Sequence, residues 1–232
     1  DDILHRQVYL GQGRQEGLLV YVEVAVSNLM LEEHVIGLSD VQPLKSYEEG
    51  KAALLAGNGL LFLDGDTNCY KISSKGYPGL GVKKAENEKV IRGSQEAFTE
   101  SEKINVALIR KRLRDSRMKV EEQTVGVRSH TMTALVYMED LIYQGLLTTM
   151  KQQLQRYEID GILDSGMLEQ LSEKHWLSPF PQFQTTERPD RAAAAVLEGR
   201  IVLVTDHSPQ VLILPADYNS FFQTSDDWYN RF

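Results

Sequence analysis

The stretches "AALLAGNGLLFLDGDTNCYKI", Ala52 to Ile72, and "AAVLEGRIVLVTDHSPQVLIL", Ala194 to Leu214, align without a gap. Gly57 meets Gly199, and Asp64 meets Asp206. Each string reads as a helix end, a glycine suited to the left-handed position beyond it, an apolar run of strand length, an aspartate turn and a second strand. A shorter match precedes each in the same order: "LVYVEV" at Leu19 to Val24 recurs as "LVYMED" at Leu135 to Asp140. Two ordered matches point to internal duplication. The fold expected is α/β in the broad sense, mixed α+β, with two lobes, each a small mixed β-sheet flanked by helices.

The chain has 232 residues, 42% hydrophobic and 25% charged, with net charge −8. That length accommodates two small cores. The acidic balance argues against a nucleic-acid partner. The single cysteine, Cys69, excludes an intramolecular disulfide. No run approaches the ~20 apolar residues of a membrane-spanning helix, and "DDILHRQVYL" has neither the basic start nor the apolar core of a signal peptide, so this stretch is expected to be soluble by itself.

"SSKGYPGLGVKKAENEK", Ser73 to Lys89, is rich in glycine and charge and marks the lobe junction just beyond it. The first lobe is placed at 1–92 and the second at 93–223. The spacing between matched pieces is longer in the second copy. Part of the excess is assigned to "HWLSPFPQFQTTERPD", His175 to Asp190, read as an inserted, semi-rigid loop of proline and aromatic residues near 175–190. Ser46 with Glu49 and Thr99 with Glu102 have capping-box spacing, the latter placing the first helical residue at Glu100. Pro189 suits a first helical turn. Leu146, Leu147, Met150, Leu154 and Tyr157 form an apolar helical stripe, with Lys151, Gln152, Gln155 and Arg156 facing outward.

Arg110, Lys111, Arg112 and Arg114 crowd the end of the helix that starts near Thr99, where cations complement the helix macrodipole. They form either an intramolecularly paired, solvated face or an anion site, with Arg128 on the next strand within reach. Chemistry is poorly supported. None of the five histidines has metal-ligand spacing, and no metal or cofactor is expected. Asp206, His207 and Ser208 are neighbours on one turn, a placement that by itself cannot create a triad. "GNG" and "GYPGLG" lack the lysine and hydroxyl residue of a phosphate-binding loop.

"RGSQEAFTESEKINVALIRKRLR" (from Arg92), "EEQTVGVRSHTMTALVYMED" (from Glu121) and the ordered series "SPFPQ", "TERPD" and "LEGR" (from Ser178, Thr186 and Leu197) resemble the soluble N-terminal domain of the A subunit of GerA-type spore germinant receptors. The resemblance runs along essentially the whole chain. Three turns depart from the family's pattern: Ser94 replaces a common proline, Ala97 a common glycine, and His207 the glycine of D-G-T-P.

The resemblance implies a membrane protein of the inner spore membrane, with this domain on the cytoplasmic, spore-core side. It also implies B and C subunits and further A subunits as partners, and no enzymatic activity. Residues 224–232 then begin the path toward the membrane region. Thr224 or Ser225 caps a helix there, with Trp228, Tyr229 and Phe232 either near a bilayer or packed on the lobe. Two functions stay open: a signalling and assembly domain, and a module binding a small-molecule germinant in the cleft between lobes. The candidate ligand-binding or inter-lobe residues are Arg92, Glu96, Arg110, Arg128, Glu187, Arg188 and Asp206. Pairs such as Arg92 with Glu96, and Glu187 with Arg188 and Asp190, are alternatively structural.

Overall fold

The duplicated stretches fold alike. In the computed structural model, which describes residues 3–10, 15–22, 41–73, 84–85, 88, 90, 92–173 and 182–217, two compact units appear, Asp1–Gly79 with Leu113–Ser116 and Leu80–Arg112 with Arg117–Phe232. The first contains β1 (Ile3–Leu10), β2 (Gln15–Val22), β3 (Val41–Leu44), α1 (Tyr47–Leu55), β4 (Gly59–Leu63) and β5 (Cys69–Ile72). The second contains α2 (Glu102–Arg112), β6 (Met118–Val125), β7 (Thr131–Met138), α3 (Gln144–Arg156), α4 (Ser165–Ser172), β8 (Gln184–Thr186), α5 (Pro189–Leu197), β9 (Ile201–Thr205) and β10 (Val211–Leu214).

The strand orders are β1-β2-β4-β5-β3 and β6-β7-β9-β10-β8, the same arrangement twice. The sheets that the sequence reading leaves mixed are antiparallel at every pairing among the described residues. Register repeats as well. Leu19 pairs with Leu61 as Leu135 pairs with Leu203, and Leu61 pairs with Tyr70 as Leu203 pairs with Leu212. The offset between α1 and α5 is 142 residues (189 minus 47), and the same offset relates Pro43, paired with Tyr70, to Thr185, paired with Leu212. The gapless alignment therefore extends upstream into β3 and β8.

That result moves the insertion. Gln184–Thr186 and the Pro189 helix start are the second copies of β3 and α1, so they belong to the repeat and not to an inserted loop. The extra length lies between β7 and β8, where α3 and α4 are found; residues 174–181 are outside the described set. The C-terminal stretch 218–232, with its proposed cap and aromatic residues, also lies outside it.

Both glycine stops hold: Gly57 has φ 83° and Gly199 φ 80°. At Gly199 a Cβ would come within 2.7 Å of the Leu141 carbonyl oxygen, so glycine is required there for space as well as for backbone conformation. Ser46 caps α1 by accepting from the Glu49 N–H, and the Glu49 carboxylate reaches back to the Lys45 N–H.

The two faces of the second sheet are covered by different helices. Leu147, Met150 and Leu154 of α3 and Leu168 of α4 pack with Leu135, Leu203 and Leu212 in one core cluster, as the apolar stripe predicts. Lys151 departs from that prediction. It returns to the sheet, forming a 2.6 Å ion pair with Glu121, which also accepts from the Tyr137 hydroxyl. Burial and this Glu121 contact push the Tyr137 phenol far above its usual range. On the opposite face α2 and α5 pack against each other and against β7 and β9. The first sheet has a smaller core around Leu19, Leu61 and Ile72, and α1 lies against β2, β3, β4 and β5.

The unit boundary falls at Gly79/Leu80, upstream of residue 92. Ala85 N–H pairs with the Gln95 carbonyl, and Glu88 and Phe98 tie this stretch to the second unit, the Phe98 N–H donating to the Glu187 carbonyl and the Glu88 N–H to the Glu187 carboxylate. No helix among the described residues is long and apolar enough to cross a membrane.

Candidate functional site

Five of the seven candidate residues, Glu96, Arg110, Glu187, Arg188 and Asp206, take part in ties inside the second unit that anchor α2, α5 and residues 84–99. At the C-terminal end of α2, Glu96 receives Lys111 at 3.0 Å and Arg112 at 2.5 Å, and Arg112 also donates to the Ser94 hydroxyl and the Leu108 carbonyl. Burial raises the Glu96 pKa, but the hydrogen bonds and charges of Lys111 and Arg112 outweigh it and hold the carboxyl below its ordinary value. Lys111 and Arg112 of the basic cluster are thus paired with a carboxylate of their own chain. Arg110 is different. It is buried and donates to the Met118 carbonyl, tying α2 to the first residue of β6.

The N-terminal end of α2 is held by residues more than a hundred positions away. The helix begins at Glu102, later than the capping-box spacing implies. The Thr99 hydroxyl accepts from the Ser101 N–H, while the Glu102 N–H donates to the Asp206 carboxylate at 3.0 Å. A carboxylate there meets the positive end of the helix macrodipole. Asn105 completes the join, accepting from the Thr99 N–H and donating to the Thr99 carbonyl, each at 2.7 Å. His207 has φ 62° and donates its N–H to the Glu100 carbonyl. The turn thus keeps the left-handed backbone of its counterpart Gly65, φ 79°, despite losing the glycine.

A third tie surrounds the start of α5. Arg188 is wholly buried and grips Asp190 through Nε at 3.1 Å and Nη2 at 2.5 Å. Glu187 and Glu88 exchange bonds: the Glu88 N–H donates to the Glu187 carboxylate, and the Glu187 N–H to the Glu88 carboxylate. Glu88 also accepts from the Thr186 hydroxyl and from Arg191. Glu88 and Arg191 are the participants that sequence reading missed. Nothing local marks them, because their partners lie about a hundred residues apart.

The remaining candidates sit elsewhere. Arg92 is exposed. Glu96 takes Lys111 and Arg112 in place of the Arg92 partner that proximity suggests. Arg128 lies in the β6–β7 turn, not on a strand, and forms an exposed 3.2 Å pair with Asp160. Among the described residues no group of His, Cys, Asp and Glu could hold a metal ion.

Comparison with known proteins follows the same course along the chain. The model of the family described as Bacillus/Clostridium GerA spore germination protein matches residues 1–232. Spore germination protein KA of Bacillus subtilis (strain 168) is 35% identical over 86% of this chain and 37% of its own length. The uncharacterized membrane protein YfkQ of the same organism is 32% identical over 100% of this chain and 49% of its own length. The chain therefore spans about half or less of these relatives. Among solved structures, the N-terminal domain of the A subunit of the Bacillus megaterium spore germinant receptor GerK3 superposes with a TM-score of 0.69, at 25% identity, over 94% of this chain and 89% of that one. With its duplicated five-stranded sheets and the family match along every residue, the chain belongs to the GerA spore germination protein family.

Proposed function

We propose that this chain is a noncatalytic coupling and assembly module at the N-terminal side of a germinant receptor A subunit. In this reading it acts during spore germination with B and C subunits and further A subunits in the inner spore membrane, on the spore-core side. One observation supports it above the others: the motif charges close internal ties. Glu96, Arg110, Arg188 and Asp206 each engage a helix end, a strand end or a partner on the same unit, an arrangement that stiffens α2 and α5. Stiff elements transmit displacement; a ligand site needs polar groups that face open space.

The experiment has two arms. Thermal-shift and calorimetric titration with amino acids, sugars and nucleotides is expected to give no saturable response. Saturable binding abolished by Arg128→Ala would instead make the chain a germinant-binding module. In spores carrying Glu96→Gln with Asp206→Asn, receptor abundance or germination rate is expected to fall. Both remaining at wild-type levels would sink the coupling reading.

A further inference from the structure

The two copies differ along one row of side chains. Across β6, β7 and β9 of the second unit, Gln123 pairs with Thr133 and Thr133 with Thr205. The same register in the first unit sets Val8 opposite Gly17 and Gly17 opposite Leu63. Val8 and Leu63 pack on the first core, whereas in the second copy all three matching positions carry polar side chains.

The row faces inward. Strand alternation puts Thr133 on the face of Leu135, Thr205 on that of Leu203, and Gln123 between Glu121 and Val125, which is the side covered by α3 and α4. Thr133 and Thr205 are both 0% exposed. Their hydroxyls and the Gln123 Nε2 are buried and meet no hydrogen-bond partner among the described residues. Neighbouring hydroxyls are satisfied: Thr131 donates to the Ile162 carbonyl at 2.5 Å, and Ser165 of α4 shares a 2.7 Å bond with Ser208. A buried polar group without a partner carries its full desolvation cost, so native structures hold few of them. Three that are adjacent in register, where the first copy places no polar side chain, mark a partner shared between them.

We propose that this row binds an internal water molecule that bridges Gln123, Thr133 and Thr205. The surroundings select a small, neutral ligand. Val125, Leu135, Ile162, Leu168 and Leu203 belong to the core cluster on this face and are at most 2% exposed, surroundings in which an isolated ion is strongly disfavoured. A water both donates and accepts, and a buried one typically makes about three hydrogen bonds. The threonine hydroxyls can take either role, while the Gln123 amide nitrogen donates. The bridge fastens the edge strand β6 to β7 and β9 through side chains, in addition to the backbone ladder. This inference stands independently of the coupling role.

The test is oxygen-17 relaxation dispersion of the solvent in solutions of this chain, a measurement that counts water molecules held inside a protein. Relative to the parent, Thr133→Val combined with Thr205→Val is expected to lower the dispersion amplitude by the equivalent of about one long-lived water. Thr205→Ser, which keeps the hydroxyl, is expected to retain it. Should the double variant fail to fold, Thr205→Val alone carries the comparison with Thr205→Ser. Equal amplitudes in the parent and the valine variants overturn the proposal. A crystal structure that resolves ordered solvent supplies the second measurement, with density expected within hydrogen-bond distance of both threonine hydroxyls. Hydroxyls bonded instead to strand carbonyls, with no density between them, overturn the proposal. So does density that disappears when chloride or phosphate is left out of the buffer, which would assign the row to an anion.

Discussion

Arg188 is the largest wholly buried side chain among the described residues, and its charge is tolerated there because Asp190 meets it along two nitrogens. Removing one member of a buried ion pair leaves the other uncompensated, typically at about 3–5 kcal/mol. Arg188→Ala should therefore lower the denaturant midpoint strongly; a change within about 0.5 kcal/mol, ordinary for a surface site, would show that the pair contributes nothing. His207 makes the opposite prediction. Its φ of 62° is a conformation that costs most side chains roughly 1 kcal/mol, and its ring is largely exposed. His207→Gly is expected to be neutral or to stabilise by roughly 0.5 kcal/mol, since relief of strain is offset by the extra freedom of glycine in the unfolded chain. Thermal denaturation distinguishes this from a clear loss, which would mean that the imidazole itself holds the turn.

At the scale of elements, α2 is fastened at both ends by tertiary partners, Asp206 at its start and Glu96 at its finish. Glu96 confers acid sensitivity with a definite sign. Its carboxyl titrates below the ordinary value of 4.5 in the folded chain, so the stabilisation is complete above that value and is lost as pH falls through the lower folded one. Glu96→Gln should be less stable than the parent at pH 7, with the gap closing in strongly acidic solution. A gap that stays constant across that range would exclude this linkage. The α3 tie behaves similarly in kind: Lys151 and Tyr137 converge on Glu121, and they hold its carboxyl down against the upward pull of burial.

For the molecule as a whole, the units differ in how completely their sheets are covered. The second has helices on both faces; the first leaves Ile3, Leu18 and Phe62 partly open on one. Less apolar area buried means less stabilisation. Scanning calorimetry of this chain should thus resolve two transitions, with probes in the first unit melting earlier. A single transition reported identically by probes in both units would show that they unfold as one.

What the sequence by itself determined is the repeat, with a helix end, a glycine stop and a strand–turn–strand in each copy; the strand order, the antiparallel sense and the register came from the pairing. The repeated features are carried by local signals, apolar periodicity and a residue able to adopt positive φ, and such signals survive duplication. Lys151 and the capping of α2 were not legible. Spacing suggests an outward lysine and a Thr99–Glu102 box, but the lysine finds Glu121 and the cap comes from Asp206. The position of the insertion, the partner of each arginine and the inclusion of residues 84–99 in the second unit were likewise decided only by tertiary structure. Ion pairs such as Glu88 with Arg191 join groups about a hundred residues apart, and electrostatic attraction depends on distance in space, which no spacing along the chain encodes.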